Sequence, residues 1–139
     1  MTQETVTFDA MTIAQQWLDA SAFTATNKQF DAHFNLISKQ VRVTGVTGFE
    51  SVSYDDWARQ SKQEFEDNIL KSVSYAGLKL LATNDYQIMF KTVESVVAND
   101  GMRKAQGVEI MLEREEDGVW RVKQERVLSE DEARHDGLI

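Results

Sequence analysis

Three strand-like segments joined by two short turns run from Tyr86 to Leu128 and constrain the fold more than any other part of the chain. The turns, at residues 99–101 and 116–118, read Asn-Asp-Gly and Glu-Asp-Gly. A three-residue hairpin loop with glycine in its left-handed position is a common connection between antiparallel strands. The spacing therefore predicts three adjacent antiparallel strands and fixes which of their residues lie opposite each other.

The even-numbered residues of these strands share one predicted face, because successive side chains of a strand point to opposite sides. The apolar end of this face carries Ile88, Leu112, Trp120 and Val122. Its other end is polar and carries Glu94, Lys104, Gln106, Gln124 and Arg126. Helices can cover the apolar end, but burying unpaired charge costs several kcal/mol. The pattern therefore predicts an open-mouthed amphipathic cavity on this face.

The odd-numbered face of the same strands combines apolar and charged residues. Its apolar residues are Met89, Val93 and Met111, and its charged residues are Lys91, Glu109, Glu113, Arg121, Lys123 and Glu125. Such a mixture suits a symmetric homodimer in which ion pairs surround an apolar centre. The alternative is a monomer with a few exposed methionines.

Helical spacing dominates the first third of the chain. Apolar residues from Asp9 to about Ala25 recur on one helical face, and Asp9 is placed to cap the first turn. Asn27 is the predicted cap of a second amphipathic helix, in which Phe30, Phe34 and Ile37 are spaced at i, i+4 and i+7.

A short strand pair and a third helix are predicted next. Residues 41–46 alternate and are rich in β-branched side chains, and residues 49–52 form a short returning strand. Ser53 opens the third helix, with Asp56 in the position of the acidic partner of a capping box. Strands are predicted at residues 72–82, 86–98, 102–115 and 119–128. We expect one domain over residues 1–128, followed by a charged tail, 129–139, that is mobile or partner-dependent.

The charge balance excludes several classes of partner. The net charge of −8 argues against nucleic acid and against an anionic membrane surface. The absence of cysteine excludes disulfides and thiolate chemistry, and two isolated histidines do not predict a metal site. No apolar run approaches the roughly 20 residues that a membrane-spanning helix needs. The N-terminus lacks a signal-peptide pattern, so we expect a cytoplasmic protein that needs no cofactor.

The element order resembles that of the nuclear transport factor 2-like superfamily, which includes the SnoaL-like proteins. The local marks are residues 41–48, Val-Arg-Val-Thr-Gly-Val-Thr-Gly, leading into Tyr-Asp-Asp-Trp at 54–57, and Asp-Gly-Val-Trp-Arg-Val at 117–122. The resemblance covers residues 9–128. It implies an α+β fold in which a cone-shaped, curved and mainly antiparallel sheet, a cystatin-like roll, is roofed by three N-terminal-half helices. It also implies a pocket within the cone and a homodimer through the outer sheet face.

The resemblance does not extend to a particular activity, because this superfamily hosts isomerases, dehydratases, hydrolases, cyclases and binding domains. Ketosteroid isomerases place an aspartate base on the first strand, where this chain has Thr44 and Gly45. The epoxide hydrolases use an Asp-Arg-Asp arrangement, which Glu94 and Arg126 imitate only in part. Dehydratase-like members pair a histidine with an aspartate, and this chain has two histidines.

Glu94 and His33 are the candidate catalytic residues. Glu94 is a possible general acid or base beside Arg126 as an anchor for a ligand, or the two form a partly buried ion pair. His33 is a possible proton-transfer group, or a hydrogen-bonded histidine of the core. Trp17 and Tyr75 are the aromatic residues expected nearest the cavity. The predicted ligand-binding residues are Trp17, His33, Tyr75, Phe90, Thr92, Glu94, Gln106, Val108, Gln124 and Arg126.

Three functions remain open from the sequence. The first is a binding domain for a small organic ligand of unknown identity, held in the amphipathic pocket. The alternative is an enzyme of the isomerase, cyclase or dehydratase type that uses acid–base residues of that pocket. The second alternative is a protein-interaction module that acts as a dimer.

Overall fold

Four helices and six strands follow one another in the computed structural model, which describes residues 3–138. They are α1 (Gln3–Thr26), α2 (Phe30–Phe34), β1 (Ile37–Thr44), β2 (Val52–Ser53), α3 (Tyr54–Glu66), β3 (Leu70–Thr83), β4 (Gln87–Ala98), β5 (Arg103–Arg114), β6 (Trp120–Val127) and α4 (Glu130–His135). This order confirms the predicted α+β class.

The strands form one curved, unclosed sheet in the order β2-β1-β6-β5-β4-β3. Neighbouring strands are antiparallel except for β1 and β6, which are parallel. Helices α1, α2 and α3 cover the concave inner face, and the core lies between the helices and the strands. This arrangement confirms the predicted helix-roofed cone.

The predicted register of the central hairpin is confirmed. Phe90 pairs with Ile110, and Glu94 pairs with Gln106, as the turn at residues 99–101 requires. The side chains of Phe90 and Ile110 are fully buried on the inner face. Turn chemistry and strand alternation were therefore sufficient to place these two strands.

A β-bulge in β6 changes the predicted register of the second hairpin. Leu112 still pairs with Val122, but Met111 then pairs with Gln124 and Ile110 with Glu125, so one extra residue is inserted at position 123. Such an insertion exchanges the faces of all residues that follow it.

The bulge overturns three of the predicted orientations. Gln124 and Arg126 lie on the outer face instead of the inner one, and Glu125 lies on the inner face instead of the outer one. The physical reason is that Val122 and Val127 both pair with inward-facing residues of β5, although an odd spacing separates them. A regular strand cannot point both valines inward, whereas a strand with one inserted residue can.

The first two helices differ from their predicted boundaries. Helix α1 already includes Gln3, so Asp9 lies inside the helix and the predicted cap there is wrong. Asn27 does not cap α2; its side-chain Nδ2 donates to the carbonyl of Phe23 at 2.8 Å and so closes the end of α1. Ile37 is the first residue of β1 rather than a helical residue.

The third helix begins as predicted. The Ser53 Oγ accepts a hydrogen bond from the backbone N–H of Asp56 at 3.2 Å, which is the N-cap geometry expected from the sequence. The short strand before it comprises only Val52–Ser53, so the predicted strand at 49–52 is displaced toward the helix.

Glycine is required where β1 ends beside β6. Gly45 has a φ of +83°, and a Cβ at this position would overlap the carbonyl oxygen of Val127. Only a residue without a side chain allows this approach of the two backbones.

In place of the mobile or partner-dependent tail expected from the sequence, the structure packs residues 129–138 against the outer face of the sheet. Ser129 caps α4 by accepting from the N–H of Glu132 at 3.1 Å. Ala133 is 1% exposed and lies over Gly107, where an added Cβ would come within 3.0 Å of the Ala133 Cβ. The missing side chain at Gly107 therefore makes the space that α4 occupies.

Ion pairs fasten the tail at its edges. Lys91 Nζ lies 2.6 Å from Asp136 and 3.3 Å from Glu132, and Arg126 donates to Glu132 at 2.8 Å and to Glu109 at 3.0 Å. Hydrogen bonds from Arg126 and Lys91 lower the pKa of Glu132 to about 2. Arg126 therefore binds the tail on the outer face and does not point into the interior of the cone.

Candidate functional site

A cavity of about 140 Å³ lies between the inner face of the sheet and helices α1, α2 and α3. Its apolar lining includes Trp17, Ile37, Trp57, Phe65, Leu70, Val73 and Val96. Its polar lining includes Ser21, His33, Ser61, Glu64, Tyr75, Glu94 and Glu125. The walls thus combine an aromatic surface with several groups that can exchange protons.

A row of polar side chains crosses three strands at one side of this cavity. Tyr75 pairs with Glu94, and Glu94 pairs with Gln106 across β3, β4 and β5. The Tyr75 hydroxyl donates to Glu94 Oε2 at 3.3 Å, and Gln106 Nε2 donates to Glu94 Oε1 at 3.3 Å. The Ser21 hydroxyl of α1 lies 3.3 Å from the Tyr75 hydroxyl. Both oxygens of Glu94 are therefore held by donors.

Glu125 is brought to the same cavity by the β-bulge. Its residue is 8% exposed, and no side chain of residues 9–138 forms a hydrogen bond with its carboxyl group. Burial, together with the neighbouring charge of Glu94, raises the pKa of Glu125 to about 8. A carboxyl group in this setting retains its proton near neutral pH.

The electrostatics of Glu94 and Tyr75 follow from the same environment. Burial raises the pKa of Glu94, although the hydrogen bonds from Gln106 and Tyr75 and the charge of Lys104 act in the opposite direction. Burial, together with the charges of Glu94 and Glu125, raises the pKa of Tyr75 well above its ordinary value. Two carboxyl groups in one desolvated site give the combination of an acid and a base that proton-transfer chemistry uses.

His33 contributes a neutral imidazole to the wall of the cavity. Its Nδ1 lies 3.0 Å from the Thr24 hydroxyl, and its ring is also hydrogen-bonded to the backbone of Ser21. Burial lowers the pKa of His33 to about 4, and the hydrogen bond to Ser21 acts in the opposite direction. The ring packs edge-on against Phe34 and near Phe65. These contacts agree with the hydrogen-bonded histidine that was one of the two interpretations of the sequence.

Several of the residues predicted from the sequence do meet in this region. Trp17, His33, Tyr75 and Glu94 line the cavity, and Gln106 fixes the Glu94 carboxyl group. The Trp17 indole N–H donates to the carbonyl of Leu36 at 3.1 Å, which orients its ring.

Five other predicted residues lie away from the cavity. Phe90 and Val108 are buried in the core, and the Thr92 hydroxyl is occupied by hydrogen bonds to the carbonyls of Ala76 and Gly77. Gln124 and Arg126 face the outer side of the sheet, beside Met89 and Met111. The predicted pairing of Arg126 with Glu94 is therefore wrong, because the two side chains lie on opposite faces.

Sequence reasoning missed Glu125, whose carboxyl group is the candidate acid of this cavity. The available signal was the odd spacing between Val122 and Val127, which interrupts the alternation of an otherwise regular strand. The four polar residues between these valines carry no information on which of them is the inserted one. It also missed Phe65 of α3, which forms part of the apolar wall.

A wider and open groove of about 860 Å³ lies elsewhere, between α2 and the β5–β6 hairpin. Arg121 lies on its wall, where it pairs with Asp117 and Glu115 at 2.9 Å each and donates to the carbonyl of Asn35 at 2.8 Å. Charged surface residues line the groove, and none of the titratable groups of the inner cavity lies in it.

The similarity to known proteins is structural. No family model matches the sequence, and no curated protein matches it. A protein of unknown function from Mycobacterium tuberculosis matches with a TM-score of 0.75 at 10% identity, over 92% of this chain and 76% of that chain. A proposed scytalone dehydratase from Novosphingobium aromaticivorans matches with a TM-score of 0.67 at 9% identity, over 90% and 87% of the two chains.

ActVI-ORFA from Streptomyces coelicolor matches with a TM-score of 0.66 at 10% identity, over 87% of this chain and 97% of that chain. Together with a cystatin-like neighbour and a designed protein of the nuclear transport factor 2 type, these matches show that the chain has the cone-shaped nuclear transport factor 2-like fold. The resemblance stated from the sequence is confirmed at this level.

None of the helices in the described part of the chain is both long enough and apolar enough to span a bilayer. Among the side chains of residues 9–138, three or more histidine or acidic groups do not come together in a geometry that could hold a metal ion.

Proposed function

We propose that the inner cavity binds a small organic molecule and that Glu94 and Glu125 transfer protons to and from it. The observation that supports this proposal most directly is the Glu125 side chain, which lines the cavity, belongs to a residue only 8% exposed, and has no hydrogen-bond partner among the described side chains, so that its oxygens are open to the cavity. An unpaired buried carboxyl group costs stability, and such groups are concentrated at sites where chemistry uses them.

The size and lining of the cavity define the kind of ligand. A volume of about 140 Å³ is comparable to the roughly 150 Å³ cavity that accommodates benzene in an engineered core. Trp17, Trp57 and Phe65 supply an apolar wall for such a ring, and Tyr75 with the two glutamates supplies the polar wall. An aromatic or alicyclic ring with one or two polar substituents satisfies both walls.

The paired carboxyl groups suit reactions that move a proton between two positions of the substrate. In an elimination of water, the carboxylate takes a proton from carbon, the carbon–oxygen bond breaks, and the carboxylic acid protonates the departing hydroxyl group. In an isomerisation, the base removes a proton at one atom and the acid delivers one at another. The name of the proposed scytalone dehydratase among the structural neighbours agrees with this class but does not determine it.

Binding without turnover is the second candidate. The hydrogen bonds from Tyr75 and Gln106 restrict Glu94 in the way that a recognition group requires, and they favour this reading. Under it, Glu94 and Glu125 determine affinity only, and no product forms.

Native mass spectrometry of the freshly purified protein tests both candidates, because a tightly held ligand is carried through purification. Glu125→Gln and Glu94→Gln retain the side-chain volume, and Glu116→Gln in the exposed β5–β6 turn is the matched control. An identified ligand that the wild type converts, and that both cavity variants bind but no longer convert, supports catalysis. Two results would together refute a role for the two glutamates. The protein would carry no ligand that adds to its mass, and the wild type and all variants would bind small organic molecules equally.

Pairing of two copies through the outer sheet face is also a proposal. Helix α4 covers the area around Gly107, while Met89 and Met111 remain partly exposed beside a recess of about 170 Å³. The charged residues expected to surround a dimer centre instead form ion pairs within the chain, such as Lys123 with Glu113 at 3.0 Å. Light scattering after gel filtration decides the question, and a monomer at micromolar concentration would contradict the dimer.

A further inference from the structure

We infer that Glu94 and Glu125 share one proton, that Glu125 carries it, and that the cavity therefore selects an uncharged ligand over a carboxylate. This inference rests on the proposed function of the same cavity. It assigns different roles to the two glutamates: Glu125 donates a hydrogen bond to a carbonyl-type oxygen, and Glu94 accepts one from an N–H or O–H group of the ligand.

The hydrogen bonds around the pair decide where the proton resides. Glu94 receives one hydrogen bond on each carboxyl oxygen, from Tyr75 and from Gln106, both at 3.3 Å. Donors of this kind stabilise the ionised form of a carboxyl group. Glu125 receives none from the side chains of residues 9–138, so ionising Glu125 gains no such compensation from them.

The charges that face the pair explain why only one proton is released. The titratable groups on the cavity wall, apart from the pair, are Tyr75 on β3, His33 on α2 and Glu64 on α3, whose carboxylate accepts from Gln60 Nε2 at 3.2 Å. Neither lysine nor arginine lines the described cavity. Lys104, an exposed residue of β5, acts on Glu94 from a distance. A second negative charge would therefore be desolvated without a cation beside it, which costs more than keeping the proton.

The same charge distribution determines which ligands enter. A carboxylate ligand would place another negative charge beside Glu94 in a cavity without a cation. An amide of the same shape instead offers a carbonyl oxygen to the Glu125 carboxylic acid and N–H groups to the Glu94 carboxylate. Benzamide and benzoate are a suitable pair of probes, because they share a ring and nearly the same size and differ in charge.

The position of the proton is measured without any ligand. Infrared spectroscopy at pH 7 detects the carbonyl stretch of a buried carboxylic acid, which ionised surface glutamates lack. We expect the band in the wild type and in Glu116→Gln, and its loss in Glu125→Gln. Loss of the band in Glu94→Gln but not in Glu125→Gln, or absence of the band from the wild type, would overturn the inference.

Ligand selection is measured by quenching of the tryptophan fluorescence, since Trp17 and Trp57 line the cavity. We expect benzamide to bind at least about tenfold more tightly than benzoate at pH 7, and its affinity to fall between pH 7 and pH 9. Glu125→Gln should bind benzamide without this pH dependence, because the glutamine amide remains a donor.

The outcomes separate the inference from the proposed function. Equal affinity for benzamide and benzoate would overturn the inference and leave the cavity as a binding site. Failure of both probes to bind would overturn ligand selection together with the proposed function, while the infrared band would still decide which glutamate carries the proton.

Discussion

Replacing Glu125 with glutamine tests the electrostatics of the cavity through the stability of the chain. In the folded state, burial raises the pKa of Glu125 from 4.5 to about 8. Between these values the folded state binds a proton that the unfolded state has released, so the free energy of unfolding decreases as the pH rises. This contribution is fully present below pH 4.5 and is lost as the pH passes 8. The slope is at most about 1.4 kcal/mol per pH unit for one proton.

The interval from pH 6.5 to pH 8 isolates this contribution. Burial lowers the pKa of His33 from 6.5 to about 4, so between those two values stability rises with pH and opposes the effect of Glu125. Above pH 6.5 the folded-state histidine is neutral and the unfolded-state histidine loses its remaining protons, so the opposing contribution of His33 is at most about 0.4 kcal/mol. Across the interval, the wild type should lose about 2 kcal/mol of unfolding free energy.

Urea unfolding at pH 6.5 and pH 8, followed by the fluorescence of the three tryptophans, measures this loss. The glutamine of Glu125→Gln cannot ionise. The unfolding free energy of this variant should therefore decrease much less between the two pH values, and the variant should be more stable than the wild type at the higher pH. Glu116→Gln makes the same chemical change in an exposed turn and should follow the wild type. If the unfolding free energies of the wild type and Glu125→Gln change equally with pH, the reasoning that burial beside Glu94 raises the pKa of Glu125 is refuted.

Three further substitutions test the packing that shapes the cone. Gly45→Ala should lower the free energy of unfolding by about 3 kcal/mol or more, because its Cβ would overlap a carbonyl oxygen of β6. Gly48→Ala has open space around its Cβ and should lower it by only about 1–2 kcal/mol. Urea unfolding measures both values. Gly107→Val should displace α4 and accelerate proteolysis within residues 129–138, unlike Ala105→Val on the same strand; equal cleavage would contradict the docking of the tail. Trp17→Phe should lower stability by about 1 kcal/mol through loss of the indole hydrogen bond, and an unchanged thermal midpoint would argue against it.

The unfavourable burial of Glu125 also explains why stability and function should oppose each other here. A residue that lowers stability at neutral pH persists when it is useful in the folded state. Glu125→Gln is therefore expected to be the more stable protein above pH 6.5 and the less competent one in proton transfer.

Local chemistry determined the parts of the fold that the sequence predicted well. The Asn-Asp-Gly turn at 99–101 and the alternation on either side fixed the pairing of Glu94 with Gln106. Ser53 identified the start of α3, because a hydroxyl oxygen at that position can accept from the free N–H of Asp56. These features depend on neighbouring residues only, so they can be read without a structure.

The end of the first helix and the tail show where local rules stop. Asp9 and Asn27 are good capping residues, yet helix α1 begins before the first and ends next to the second, so a capping residue by itself does not fix where a helix begins. The short helix after Ser129 would be marginal alone and is held by the space that Gly107 leaves on β5.

By itself, the sequence determined the order of the elements, the register of β4 with β5 and the presence of Glu94 on the inner face. Only the tertiary structure decided that one residue is inserted in β6. This insertion places Glu125 on the inner face with Glu94 and places Arg126 on the outer face. The physical reason is that the position of a bulge is chosen by contacts far apart in the chain: β6 must keep both Val122 and Val127 inward while it pairs with β5 on one side and β1 on the other.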